Sequence, residues 1–156
     1  TLALIGGDIN LEGATLKTGG GRIELGSVAA PKLVNLTPVG KGFYFNYDAV
    51  VDGGNIELSQ QTTVDAGDIQ VWGRNIKITD GSLTGVAENG GSLLVNAQES
   101  VQIIGNSDSQ FTGLFTGVSS QATGKGADIT IKTDTYSLKM EQVSVVEHLE
   151  KVTGEV

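Results

Sequence analysis

Among the residues that could do chemistry, Asp65, Asp68, Arg74 and Lys77 stand together in one short stretch of the chain. Carboxylates beside cationic groups are the materials of acid–base attack on a sugar chain, provided the fold aims them into one groove. All four stand next to predicted corners, where Asp and Asn side chains bond their own backbone and shape the turn, so they are read as structural. His148 is the single histidine and there is no cysteine. With Glu147, Leu149 and Glu150 around it, His148 lacks the second imidazole or thiolate that a transition-metal site needs and reads as a surface residue. It is also the only imidazole a catalytic triad could use, and no GxSxG elbow accompanies any serine.

Bound ions and phosphates fare no better. Repeat-borne calcium requires a third glycine ahead of the aspartate, and GGDINL has an apolar residue there. TGKGADIT lacks the spacing of a phosphate-cradling loop, and TGGGRIELG lacks that of a dinucleotide fingerprint. No cofactor and no metal is expected.

The aromatic residues are more informative. Phe43, Tyr44, Phe45 and Tyr47 fall within five positions, and alternation puts Phe43, Phe45 and Tyr47 on one face with Tyr44 and Asn46 on the other. Such a strip either docks on the flank of the fold, as aromatics usually bury most of their area, or stays exposed and stacks on a sugar or a protein partner. Trp72 is opposite in phase to Ile69 and Val71, hence outward, and is the natural partner for a docked strip. Tyr44, Tyr47 and Trp72 are the surface binding candidates.

The elements that position these groups come from an internal repeat. One phrase recurs six times: GGDINL at 6–11, GGRIEL at 20–25, GGNIEL at 53–58, AGDIQV at 66–71, GGSLLV at 90–95 and GADITI at 126–131. Its apolar residues sit two apart, as in Ile69 and Val71, so each copy predicts a corner followed by a short strand with one buried face. The preceding glycines supply the positive φ of the corner. Starts are 14, 33, 13, 24 and 36 residues apart, which excludes a fixed-period helical repeat. The 13- and 14-residue steps are too short for a full three-sided turn and read as partial turns or local hairpins. Strands this short make sense when each pairs with its equivalent one turn above and below, as in a parallel β-helix. Stacking of that kind could bring Asp68 near Asn55.

Composition agrees. The chain has 156 residues, 23 of them Gly and only 2 Pro, so it is rich in turns without being stiffened. Its length suits one domain with a sizeable core. A net charge of −8 opposes phosphate backbones, and nucleic acid is not an expected partner. No apolar run approaches a membrane span, so the chain is not expected to be membrane-embedded, and TLALIGGD lacks the basic start of a signal peptide.

The phrase LALIGGDINLEGATLKTGGGRIELGSVAAP, running on into LVNLTP, resembles the filamentous haemagglutinin-type exoproteins of two-partner secretion systems, particularly the large cyanobacterial members. The similar positions are Leu2 to Gly7, Gly20 to Ser27, Gly67 to Val71 and Ser100 to Gly105, and the likeness extends over roughly residues 1–135. It implies a right-handed parallel β-helix, export through a dedicated outer-membrane transporter, and residence at or beyond the bacterial cell surface. The family's NPNG- and NPNL-like motifs are not among these residues, which implies a segment lacking much of the secretion domain. From Tyr136 onward the chain does not resemble a further family coil.

The expectation is therefore an all-β, right-handed parallel β-helix (β-solenoid) over 1–142, with an extra-helical aromatic segment near 40–52. Residues 143–156 follow as either a short C-terminal capping helix, with Val145, Val146, Leu149 and Val152 on its apolar face, or a frayed tail. The expected role is that of a secreted adhesin segment, structural and adhesive without catalysis, meeting surface glycans or protein. The alternatives are a carbohydrate-active β-helix enzyme and a small stand-alone carbohydrate-binding module.

Overall fold

The computed structural model describes residues 1–31, 33–40, 42–88, 90–106, 112–118 and 128–140. Among them the chain is all-β with no helix, and its sheets are mostly parallel. It runs in successive passes. The first holds β1 (Leu2–Gly6), β2 (Ile9–Glu12) and β3 (Thr15–Lys17). The second begins with β4 (Arg22–Ser27), leaves for a hairpin of β5 (Asn35–Val39) and β6 (Gly42–Asn46), and resumes with β7 (Asn55–Ser59) and β8 (Thr63–Ala66). The third is β9 (Asp68–Thr79) and β10 (Ser82–Ala87), the fourth β11 (Leu93–Gly105) and β12 (Gly113–Val118), and the last β13 (Ile129–Lys132) and β14 (Thr135–Met140).

Each strand lies parallel to its equivalent in the adjoining pass. One sheet has two wings, β1-β4-β9-β11-β13 and β2-β7-β9-β11-β14, because β9 and β11 are long enough to turn from one wing into the other; a second sheet runs β3-β8-β10-β12. The register stacks like on like. Leu2, Ile23, Ile69, Leu93 and Ile129 form one inward column, and Leu4, Leu25, Val71, Val95 and Ile131 the next. Ile9, Ile56, Ile76 and Val101 form a third, Leu11, Leu58, Ile78 and Ile103 a fourth, and Leu16, Val64, Leu83 and Leu114 a fifth from the second sheet. Both sheets feed a single apolar cluster, which the period-two pattern anticipates.

Three expectations become more specific. Two copies of the phrase, GGDINL and GGNIEL, open the second strand of their pass whereas the other four open the first, so the 13- and 14-residue steps are parts of a pass and the copies do not count the layers. Thr135–Met140 extend the stack, Tyr136 and Leu138 pairing with Val101 and Ile103. Glycine serves close approach as well as turning: Gly20 has φ +73°, but a Cβ on Gly67 would sit 2.6 Å from the Gly20 carbonyl oxygen of the pass before. The expected cap or tail at 143–156 lies outside the described residues.

From the first inward column to the third the chain takes seven residues in the first and third passes (Leu2 to Ile9, Ile69 to Ile76) and 33 in the second (Ile23 to Ile56). The excess is residues 28–53, an insertion wider than the aromatic stretch alone. Its neck is closed by an antiparallel bridge between Val28 and Gly53 and by the Ala29 amide donating to the Asp52 carbonyl at 2.9 Å.

Candidate functional site

Inward Ile23, Leu25, Ile69 and Val71 oblige Arg22, Glu24, Gly26, Gln70 and Trp72 to face out of the first wing. The register sets Glu24 beside Gln70 and Gly26 beside Trp72. The insertion folds over this patch. Phe45, Tyr47, Val50 and Trp72 form a second apolar cluster, with Val28 and Val34 against it. Tyr47 and Trp72 stack with ring centroids 4.7 Å apart and planes 4° from parallel. A Cβ on Gly26 would overlap the Tyr47 hydroxyl, so the bare backbone there is what lets the ring lie flat.

Polar groups are sealed beneath. The Tyr47 hydroxyl donates to Glu24 Oε1 at 2.9 Å. Arg22 Nη2 donates to Gln70 Oε1 at 2.6 Å, and Gln70 Nε2 donates to the Phe45 carbonyl at 3.1 Å. Arg22 Nε lies 3.6 Å from Glu24 Oε2, near enough for charge attraction, yet neither atom makes a hydrogen bond. Burial pushes the Glu24 carboxyl up to about 7, against the opposing pull of the Tyr47 hydrogen bond and the Arg22 charge. Burial, with the Glu24 charge beside it, likewise raises Tyr47.

Of the three surface candidates, Tyr44 alone is exposed, at 37%, with the Arg22 guanidinium 5.3 Å from its ring centroid. Tyr47 and Trp72 are each 5% exposed and Phe45 6%, so this part of the strip has docked, with Trp72 as its partner, whereas Phe43, expected on the same face, is 45% exposed; Tyr47 and Trp72 cannot meet a ligand while the strip stays docked. The hairpin instead presents Leu36, Val39, Phe43 and Tyr44 to solvent. Between β1 and the base of the insertion runs an open apolar groove of about 450 Å³ lined by Ile5, Gly7, Val28, Ala30, Pro31 and Val34 among others.

The four charged residues do not converge. Asp65 pairs with Lys17 at 2.6 Å on the second sheet, and Lys77 with Glu57 at 2.9 Å on the second wing. Arg74 Nε lies 3.8 Å from Glu99 Oε1, and Asp68 accepts from the Ser92 amide and hydroxyl at 3.1 and 2.6 Å. Each is tied to a neighbouring pass. Asn55 is opposite Asn75, whose Nδ2 donates to it at 3.1 Å, and not beside Asp68. No group of three or more His, Asp or Glu side chains that could hold a metal occurs among the described residues; His148 lies outside them. The residues that sequence reasoning missed are Arg22, Glu24 and Gln70. Their signal was the 33-residue step itself, since chain added at that corner has the outward face of β4 to rest on. No protein family, curated protein or solved structure matches this chain.

Proposed function

We propose that this chain is a segment of a right-handed parallel β-helix belonging to a secreted, cell-surface exoprotein of the filamentous haemagglutinin type, with a structural and adhesive role and no catalysis. The observation that carries the reading is the stacking of Leu2, Ile23, Ile69, Leu93 and Ile129 in one parallel register, the arrangement a coiled chain makes when each turn repeats the last. Right-handedness follows the general rule for crossovers between parallel strands. The exposed hairpin, with Phe43 and Tyr44 in solvent, is the surface for a glycan or protein, since such rings stack on sugars and anchor interfaces. Export uses an outer-membrane transporter. The enzyme alternative needs an acid and a base at one groove, and Asp65, Asp68, Arg74 and Lys77 are each engaged elsewhere.

Two measurements on the intact protein test this. Brief protease treatment of whole source cells should release fragments of the chain, and a glycan or surface-protein array should retain it through the hairpin, with Phe43→Ala and Tyr44→Ala together abolishing retention. Release of new reducing ends from any polysaccharide in a panel, lost in Asp68→Asn, would overturn the reading in favour of an enzyme.

A further inference from the structure

Glu24 is fully buried between the first wing and the insertion. One carboxyl oxygen is held by Tyr47, and the other has no hydrogen bond. An ionised carboxylate so placed exchanges water on that side for the Arg22 guanidinium at 3.6 Å, without a hydrogen bond, and the cost of burial outweighs that attraction, so the protonated form is favoured under the insertion. Around it, the charged or titratable groups among the described residues are Arg22 on its own strand and Tyr47 on the insertion, with Tyr44 over Arg22. The strands to either side contribute only Ala3 and Gln70. Meanwhile the neck has a separate anchor. The Gly53 amide donates to Gln98 Oε1 at 2.7 Å and Gln98 Nε2 donates to the Val51 carbonyl at 2.8 Å, so the aromatic part can lift while the base stays attached.

We propose that residues 28–53 are a proton-controlled latch: the insertion closes over the first wing when Glu24 is protonated and lifts when it ionises, uncovering Trp72. Lifting returns both carboxyl oxygens to water, so the open form holds its proton with the ordinary carboxyl value of 4.5 and the closed form with one of about 7. Between these the closed form binds the proton and the open form does not, so the ratio of closed to open falls by up to about tenfold per pH unit as pH rises. Below 4.5 both forms are protonated, above 7 both are ionised, and the ratio levels off. Acid therefore tightens the latch. The latch goes beyond the proposed role and does not depend on it.

Trp72 is the single tryptophan, so its fluorescence reports the latch alone. Acrylamide quenching of the full chain, followed from about pH 4 to 9, should rise in one titration with its midpoint between 4.5 and 7. Glu24→Gln, neutral at every pH, should stay weakly quenched throughout. Tyr47→Phe keeps the ring but takes from the closed form alone its hydrogen bond to Glu24, and should move the midpoint to lower pH. His148→Gln should leave the wild-type curve unchanged. A flat wild-type profile, a transition that survives in Glu24→Gln or disappears in His148→Gln, or an unmoved midpoint in Tyr47→Phe would overturn the proposal. Should Glu24→Gln lose the wild-type β spectrum, the Tyr47→Phe midpoint decides.

Discussion

Tyr47 lies flat against Trp72, with ring centroids 4.7 Å apart and planes 4° from parallel, and this contact joins the insertion to the stack. The centroid separation exceeds face-to-face contact distance, so the rings are offset, the arrangement their quadrupoles favour. Trp72 reaches the stack from β9 and Gly26 lies beside it on β4, so the geometry depends on three residues that are far apart in the chain.

Gly26→Ala places a methyl group where the Tyr47 hydroxyl lies and 2.8 Å from the Ile5 Cδ1 atom. The expected cost is about 1–3 kcal/mol by overpacking, with a red shift in Trp72 emission as the stack separates. Gly7→Ala, with nothing within 4 Å of the new carbon, should stay within about 0.5 kcal/mol. Denaturant titration of both variants, read by fluorescence, checks the pair.

Ile69 and Gln70 are neighbours in sequence and opposite in phase, and both are buried, at 1% and 3% exposure. Ile69→Ala should cost about 2–5 kcal/mol as a cavity in the core. Phase alone predicts a surface-like effect for Gln70→Ala; its place under the insertion predicts about 1–3 kcal/mol, because the Phe45 carbonyl and the Arg22 guanidinium each lose a partner. Thr130→Ala, outward on β13 and only half-buried, should stay within about 0.5 kcal/mol. Equilibrium unfolding of the three variants gives the ranking.

Removing residues 28–53 and joining Ser27 to Gly54 restores the seven-residue step of the first and third passes. The Gly54 amide already donates to the Ser27 carbonyl at 3.0 Å, so the ends are close. Circular dichroism should retain the β spectrum and a cooperative transition, while Trp72 becomes fully accessible to quencher. Loss of cooperative unfolding would mean that the insertion is part of the core and not an addition to it.

Lys77 and Glu57 are paired across two passes at 2.9 Å, but both side chains are about half exposed. Exposed ion pairs contribute little because water already solvates both partners. Lys77→Ala should change stability by less than about 1 kcal/mol, and raising the salt concentration should leave the difference between variant and wild type small. Chemical denaturation at low and high salt measures both.

What the sequence by itself determined is the phase of each strand. Apolar residues two apart turn Ile23, Ile56, Ile69 and Leu93 inward wherever their strands lie, because alternation is a property of the extended backbone and needs no partner. The glycine-led corners and the docking of the aromatic strip on Trp72 were legible for the same local reasons. Only the tertiary structure decided which strands share a pass, since one phrase serves two sides of the chain path and pairing depends on register between residues as far apart as Ile9 and Ile56. It also decided what becomes of the outward face. Glu24 and Gln70 have the same phase as Glu57 and Lys77, yet the first two are buried and the second two half-exposed. Alternation says which way a side chain points; whether it meets water depends on what folds over it, and here that is chain inserted more than twenty residues away.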